Sequence, residues 1–212
     1  MARQRVLILF LHPALEQSRI HDVLAASVRD LDGVTFHDLY EHYPDFDVDV
    51  RAEQALLLAH DRIVFQHPFY WYNAPALLKQ WQDLVLRHGW AYGTHGRQLE
   101  GKWALHATST GGGRDAYGPG SFNRYTVPEF FRGFERTAEL CHMLWIPPFV
   151  VHGSHRMTPQ QAREQGASYR RLIEALRDDA VDLEAARALH CVSDDLDAVI
   201  GTRSAEGVGD AR

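Results

Sequence analysis

The stretch VLILFLHPALEQSRIHDVL, residues 6–24, decides the predicted fold. It opens with six consecutive apolar residues, which is the length and pattern of a strand that is covered on both faces. A polar loop follows, and from about Ser18 onwards Ile20, Val23 and Leu24 begin an apolar stripe with helical spacing. The stretch therefore predicts a buried strand followed by a helix that crosses over the sheet.

Strand-length apolar runs recur along the chain. IVFQH at 63–67, WALHAT at 103–108 and PFVVHG at 148–153 are similar to the first run, whereas VTFHDLY at 34–40 is shorter and more polar, as expected at the edge of a sheet. Because parallel neighbours require crossover helices, this alternation predicts an α/β domain. We expect a five-stranded parallel sheet of order 2-1-3-4-5 with helices on both faces.

Three further apolar stripes with helical spacing lie between or after these strands. One follows Pro75, a second runs over 127–141, and a third begins at Thr158. The third opens with Thr-Pro-Gln-Gln, in which the threonine caps the helix, the proline takes the first helical position and a glutamine bonds back to the cap.

Length, composition and charge exclude several classes of protein. A chain of 212 residues with 45% hydrophobic residues can bury a full core, and its net charge of −6 lacks the positive footprint of a nucleic-acid-binding protein. Cys141 and Cys191 are too few and too far apart for a disulfide framework or a zinc site, so we expect reduced thiols and a cytoplasmic protein. No apolar run approaches the roughly 20 residues that span a bilayer. Any membrane association is therefore expected to be peripheral.

The loop after the first strand contains a candidate anion site. In sheets of this order a ligand binds beyond the carboxyl ends of the strands. Ser18 and Arg19 stand there at the predicted start of a helix, where backbone N–H groups, a hydroxyl and a positive charge suit a phosphate. Ser18 is equally suited to be only the cap of its helix. The loop has neither the G-x-x-x-x-G-K-[ST] nor the G-x-G-x-x-G motif of nucleotide-binding loops.

Two further loops follow the third and fourth strands. QHPFYWYNAPALLKQW at 66–81 places four consecutive aromatic residues in a loop, where a flat ligand or a subunit interface would explain them. TSTGGGRDAYGPG at 108–120 contains three consecutive glycines, which allow the backbone to approach a planar group closely. N–H donors in such a turn would stabilise the negative charge that a flavin gains on reduction. A flexible surface loop is the alternative.

Several motifs together resemble one known family. They are His12 followed six residues later by Ser18, HPFYWYNAPALLKQW, HGWAYG, a GK before a strand that ends in STGGG, and LWIPPFVVHG. Between Val6 and Leu176 the chain resembles the flavodoxin-like NAD(P)H:quinone oxidoreductase family. It is most similar to the branch that includes the ancillary quinone reductases of bacterial glutathione-gated potassium efflux systems.

The resemblance implies a flavodoxin-like three-layer sandwich, a homodimer and one flavin per subunit. The flavin is expected to be flavin mononucleotide (FMN), with flavin adenine dinucleotide (FAD) as the alternative, and the reductant is expected to be NADPH or NADH. The implied reaction has two steps at one pocket. NAD(P)H delivers a hydride to the flavin and leaves, and a quinone then takes up both electrons.

The resemblance also implies roles for individual residues. The positions that match the family's phosphate loop are His12, Ser18, Arg19 and His21. The positions that match the loop around the flavin ring are Phe69, Tyr70, Trp71 and Tyr72. Those beside the N1 and O2 edge of the ring are Ser109, Thr110, Gly111, Gly112 and Gly113. Those of the substrate pocket are Tyr117 and, from a neighbouring subunit, Trp90 and Tyr92.

Two positions are candidate catalytic residues. Well-studied relatives carry a Tyr after the glycines and a His six residues later, which help to accommodate charge on the reduced ring; this chain has Tyr117 and Asn123 there. An amide can donate a hydrogen bond but cannot take up a proton. A proton would therefore have to come from Tyr117 or from water. His21 also stands where relatives often have Asn.

Two alternative functions remain open. The nearest branch of the family implies a regulatory ancillary subunit that docks on a potassium efflux transporter at the inner face of the membrane, and this role is compatible with the enzyme. The other alternative is a flavodoxin-type carrier that passes single electrons to a protein partner. No metal site is expected, because His152 and His155 have no third ligand nearby at a sensible spacing.

The chain extends past the usual end of the family. We predict a flavin-binding domain over 1–178 and an acidic extension over 179–212, with a helix around Leu183, Ala186 and Leu189. The extension could pack on the domain or on the dimer, or bind a partner. The last ten residues are expected to be mobile.

Overall fold

The computed structural model describes residues 3–201 of the chain. Its strands are β1 (Val6–Phe10), β2 (Val34–Asp38), β3 (Arg62–Pro68), β4 (Trp103–Ser109) and β5 (Leu144–Val151). They form a parallel sheet in the order β2-β1-β3-β4-β5. Every residue of β1 is buried, whereas β2, at one edge, is mostly half-buried. The predicted fold class, strand order and edge strand are confirmed.

Helices cover both faces of this sheet. Their bounds are α1 (His21–Val28), α2 (Leu39–His42), α3 (Val50–Ala59), α4 (Ala76–Val85), α5 (Val127–Phe130), α6 (Arg132–Leu140), α7 (Pro159–Arg177), α8 (Leu183–Arg187) and α9 (Leu196–Val199). Alternate residues of β1 point to opposite faces: Val6 and Ile8 pack in the core with α1 and α7, and Leu7 and Leu9 in the core with α3 and α4. Within residues 3–201, none of the helices combines the length and apolar character that crossing a bilayer requires.

The first helix begins three residues later than its sequence pattern indicates. A 3-10 turn over Leu15–Gln17 precedes it, and the Ser18 hydroxyl accepts a hydrogen bond of 2.9 Å from the backbone N–H of His21. Ser18 therefore satisfies one of the N–H groups that have no partner inside α1.

Other helices differ from or agree with the sequence pattern for identifiable reasons. The predicted helix over 127–141 is divided, because the chain bends at Phe131 between α5 and α6. The helix α3 has no counterpart among the predicted helices, because the charged Glu53 occupies one of its fully buried positions.

The capping box of α7 is confirmed. Thr158 Oγ1 accepts from the Gln161 backbone at 3.2 Å, and the Gln161 side chain accepts from the Thr158 N–H at 2.9 Å.

Residues 182–199 pack against the sheet domain. They form α8, a 3-10 turn (Val192–Asp194) and α9. Four apolar side chains of this segment are buried in the same core as α1 and α7: Ala186, Val192, Leu196 and Val199. The described part of the extension therefore packs on the domain, which is one of the three roles considered for it. The last ten residues, which were expected to be mobile, lie outside the described region.

The second edge of the sheet, β5, is irregular. Its register with β4 shifts where Pro147 and Pro148 stand opposite the single residue His106. Further along, the Ser193 hydroxyl accepts from the Val150 N–H at 3.0 Å and donates to the Val150 carbonyl at 3.2 Å. The 3-10 turn after α8 thus occupies this part of the edge.

Candidate functional site

A cleft of about 230 Å³ opens at the carboxyl ends of β1, β3 and β4. Pro68 and Ser109, the last residues of β3 and β4, are register partners and both line it. The structure therefore brings together the three loops in which the sequence places candidate residues. The predicted cofactor-binding residues that line the cleft are His12, Ser18, Arg19, His21, Phe69, Tyr70, Ser109 and Gly111.

A larger groove of about 940 Å³ lies elsewhere on the surface, beside α5, α6 and β5. Charged residues of both signs line it, Glu129 and Arg132 among them, and no predicted site residue does. We take the smaller cleft as the candidate site, because it stands where sheets of this topology bind their ligands.

Buried histidines stand beside the start of α1. His21 is 1% exposed; its Nε2 lies 3.0 Å from the Ser109 hydroxyl, and its Nδ1 has no hydrogen-bond partner within residues 3–201. Burial, helped by the neighbouring His12 and His67, lowers the pKa of His21 well below its usual value, and burial also lowers the pKa of His12. Both rings are therefore neutral near pH 7. The positive charge at this end of the cleft comes from the exposed Arg19.

A second pair of buried histidines lies at the end of β3. His67 Nδ1 is 3.0 Å from the Pro68 carbonyl oxygen, and His67 Nε2 is 2.8 Å from Nδ1 of His106. Because a carbonyl oxygen only accepts, we assign the His67 proton to Nδ1, so that Nε2 accepts from His106.

Burial lowers the pKa of His67 to about 4 and that of His106 well below its usual value. This neutral pair anchors the strand from which the aromatic loop departs.

The aromatic loop ends in a tight hairpin turn. The backbones of Tyr70 and Asn73 exchange two hydrogen bonds of 2.9 and 3.0 Å, and the two residues between them have positive φ, 51° at Trp71 and 61° at Tyr72. Positive φ at both central positions is the pattern of a type I′ turn, which Asn-Gly normally occupies. Bulky residues in this region are strained, and such strain is concentrated at functional sites. The turn holds Trp71 94% exposed and Tyr72 47% exposed.

The glycine turn is held at its start by Thr110. Its hydroxyl donates to the Gly112 carbonyl at 2.9 Å, and Nδ1 of His152 lies 3.1 Å from the same hydroxyl oxygen. A Cβ at Gly111 would lie 2.4 Å from the imidazole of His155, so a larger residue would require that ring to move. The turn therefore presents bare backbone beside the cleft.

The two candidate catalytic residues follow the glycine turn. The ring of Tyr117 packs edge-on against Phe69 at a centroid distance of 6.1 Å, and burial raises the pKa of its hydroxyl. Asn123 donates from Nδ2 to the Ala116 carbonyl at 2.9 Å, a contact that orders its own loop. Neither side chain lines the cleft. Their catalytic roles stay predictions.

Comparison with known proteins decides the family. A family model described as having the flavodoxin-like fold matches residues 4–174. The chain belongs to this flavodoxin-like family. The glutathione-regulated potassium-efflux system ancillary protein KefG of Yersinia enterocolitica is 42% identical over 171 residues, which cover 81% of this chain and 93% of that protein. The resemblance found in the sequence is thereby confirmed.

Solved structures agree with this membership in the flavodoxin-like family. General stress protein 14 of Treponema denticola, determined in complex with FMN, is 39% identical with a TM-score of 0.78, covering 81% of this chain and 99% of that chain. An NADPH-quinone reductase from P. pentosaceus is 35% identical with a TM-score of 0.73, covering 79% and 96% of the two chains.

The remaining predicted residues of the flavodoxin-like site do not line the cleft. Trp71 and Tyr72 form the exposed turn of the hairpin. Thr110, Gly112 and Gly113 adjoin the lining residues Ser109 and Gly111 in the chain but do not line the cleft themselves. Trp90 and Tyr92 pack against the core on the α3–α4 side, where the Gly89 N–H donates to the Tyr92 carbonyl at 2.8 Å. Their predicted place over the pocket of a neighbouring subunit stays a prediction.

Sequence reasoning missed some residues that line the cleft of this flavodoxin-like domain, among them Gln17, Ser154 and His155. The signal for the last two is their position directly after the fifth strand, because that strand ends at the same edge of the sheet. Across the described part of the chain, no three His, Cys, Asp or Glu side chains are grouped as metal ligands.

Proposed function

We propose that the protein is a flavin-dependent NAD(P)H:quinone oxidoreductase that binds FMN, with FAD as the alternative, and takes NADPH or NADH as its reductant. The observation that carries the proposal is the cleft itself, in which a phosphate-type loop, aromatic rings and bare backbone line one space. Relatives support it, since one is solved with FMN and another is an NADPH-quinone reductase.

The residues of the cleft fit a flavin. Arg19 and the backbone N–H groups at the start of α1 would hold the phosphate, and the buried Nδ1 of His21, which has no hydrogen-bond partner among the described residues, offers a further polar contact. Phe69 and Tyr70 would flank the ring, and the turn at Gly111 would present its amides. When bound, a flavin supplies the chemistry of hydride acceptance from NAD(P)H and two-electron transfer to a quinone.

The chain's own residues would then bind, orient and exclude water. Since its pKa is raised, the Tyr117 hydroxyl stays protonated near pH 7 and can donate a hydrogen bond toward the substrate. Asn123 keeps the loop of Tyr117 in place. We further propose a homodimer, in which Trp90 and Tyr92 of one subunit cover the pocket of the other and shield it from water.

Purification of the full chain tests the proposal. We expect a yellow protein whose extracted cofactor elutes with FMN on chromatography, and which oxidises NADPH or NADH rapidly only when a quinone is present. A colourless protein that neither binds added FMN or FAD nor oxidises NAD(P)H with a quinone would eliminate the proposed activity.

A second, compatible role is that of an ancillary subunit of a potassium efflux transporter, at the inner face of the membrane. The 42% identity to an ancillary protein of a glutathione-regulated potassium-efflux system favours it. Expression with such a transporter should give co-purification and a change in potassium flux. Unchanged flux and no association would remove this role while leaving the enzyme untouched.

Replacing Trp71 with glycine is expected to raise either the FMN dissociation constant or the quinone KM about tenfold. The melting temperature should not fall. The indole is 94% exposed and therefore contributes little to the stability of the fold. Glycine also adopts the positive φ of this position without strain. Fluorescence titration, steady-state kinetics and thermal melting measure the three quantities.

Phe122→Gly is the matched control for this substitution, because Phe122 is 88% exposed and lies outside the predicted site. It should leave both the FMN affinity and the quinone KM unchanged. Retention of both by Trp71→Gly would show that the exposed indole serves something other than the flavin and quinone slot.

A further inference from the structure

Residues 191–194 lie beyond the 4–174 range that matches the family, yet they contact three structures that border the candidate site: the end of the glycine turn, strand β5 and the small core behind Phe69. We infer that this segment positions the glycine turn and the aromatic wall of the cleft, with Asp194 as a positioning residue that acts through Arg114. The inference rests on the proposed function, because it concerns the same cleft.

The first contact is an ion pair at the end of the glycine turn. Arg114 directly follows Gly113, and its Nη2 pairs with Oδ1 of Asp194. Three consecutive glycines have no side chains to restrain their backbone, so the shape of the turn depends on its backbone partners, such as the Gly153 N–H that donates to the Gly112 carbonyl at 2.8 Å, and on what holds its two ends. Thr110 holds the start through the Gly112 carbonyl. The Arg114–Asp194 pair holds the end.

The second contact is with the strand beside the turn. Ser193 exchanges hydrogen bonds with both backbone groups of Val150. The next residue of β5, Val151, accepts through its carbonyl from the Thr110 N–H at 2.9 Å. The segment is therefore hydrogen-bonded to β5 beside the point at which the glycine turn begins.

The third contact is with the aromatic wall. Cys191 is 4% exposed and packs in a small core with Phe131 and Val150, and the rings of Phe69 and Tyr117 pack against this core. The extension thus supports the cleft wall from behind, while Asp194 and Ser193 fix the turn and the strand.

The ion pair is the part of this support that can be tested cleanly. Arg114 and Asp194 have side chains that are 62% and 23% exposed. A pair this exposed contributes little to global stability, so its removal should loosen the turn without unfolding the protein. The matched control is Asp197, three residues further along the extension, which pairs with Arg171 of α7 at 2.6 Å away from the cleft.

We expect Asp194→Asn to raise the FMN dissociation constant of the full-length protein roughly three- to tenfold at low salt, with an unchanged melting temperature. Asp197→Asn should change neither quantity. Arg114→Gln should reproduce Asp194→Asn, and combining the two should add little, because both remove the same pair. High salt should weaken FMN binding in the unmodified protein toward that of Asp194→Asn.

Amide hydrogen exchange on the flavin-free protein gives a readout that does not depend on the cofactor. The amides of residues 111–114 should exchange faster in Asp194→Asn than in Asp197→Asn. Equal exchange and equal FMN affinity in these two variants would overturn the inference. If the unmodified protein bound no flavin, the proposed function would fail, and the exchange comparison alone would still decide whether the segment restrains the turn.

Discussion

Replacing Glu53 with alanine is expected to lower the free energy of unfolding by about 3–5 kcal/mol. Glu53 is 0% exposed and accepts three hydrogen bonds, from His37 Nε2 and the Tyr43 hydroxyl at 2.7 Å and from Trp81 Nε1 at 2.8 Å. Burial alone would raise its pKa, but the bonds from His37 and Trp81 outweigh burial and lower it. Removing the carboxylate would leave two buried donors, on His37 and Trp81, and the half-buried Tyr43 hydroxyl without this acceptor.

The position of this network extends the effect to the site. Trp81 lies on α4, the helix that follows the aromatic hairpin, so its indole and Glu53 fix the base of that loop. Urea unfolding followed by circular dichroism measures the loss. Glu53→Gln, which keeps one acceptor oxygen, should cost less, and Glu41→Ala at an exposed position should cost within about 0.5 kcal/mol. Glu53→Ala as stable as Glu41→Ala would refute the assigned role.

Acidification from pH 6.5 to about 4 is expected to destabilise the protein by about 3 kcal/mol through His67 alone. In the folded protein burial keeps His67 neutral until its pKa of about 4, whereas the unfolded chain takes up the proton below about pH 6.5. The unfolded state therefore binds more protons in this window, and stability falls as the pH falls. His21 and His106, whose pKa values are also well below normal, act in the same direction.

The free energy of unfolding measured between pH 4 and 7 tests this expectation. His67→Gln can still donate to the Pro68 carbonyl and accept from His106, but it cannot take up a proton. It should reduce the slope in that window by about 1.4 kcal/mol per pH unit. His95→Gln at an exposed position should leave the slope unchanged. Parallel profiles for the unmodified protein and His67→Gln would contradict the assignment.

The sheet could be predicted because the apolar and polar residues of each strand match how deeply that strand is buried. Val6–Phe10 is apolar at every position and buried at every position, and the polar character of Val34–Asp38 matches its place at an edge. The helix α7 was recognisable from local chemistry, since its capping box lies within four residues. In each case one short segment contains the whole signal.

The helices that sequence reasoning missed depend on distant partners. In α3 the sequence pattern indicates that Glu53 is a surface residue, because a glutamate is normally exposed. It is buried because His37 and Trp81, which are distant in the chain, hydrogen-bond to it. The bend between α5 and α6 is equally hidden, because Phe131 and Phe134 continue the apolar stripe across it. Pattern alone cannot locate such a break.

For the site, topology and family resemblance explain how much was predictable. The loops after β1, β3 and β4 had to converge, because the carboxyl ends of parallel strands meet at one edge. The turn type at Trp71 and Tyr72 was not readable, since neither Asn nor Gly stands there. The contact of Arg114 with Asp194 joins segments far apart in the chain, and no local pattern indicates it.

The irregular outer edge of β5 has a consequence for self-association. An open strand offers a template to which another chain can add by main-chain pairing, the route to fibrous aggregates. Pro147 and Pro148 have no amide hydrogen to offer, and Ser193 already occupies both main-chain groups of Val150. Copies of this protein are therefore discouraged from joining sheet to sheet along that side.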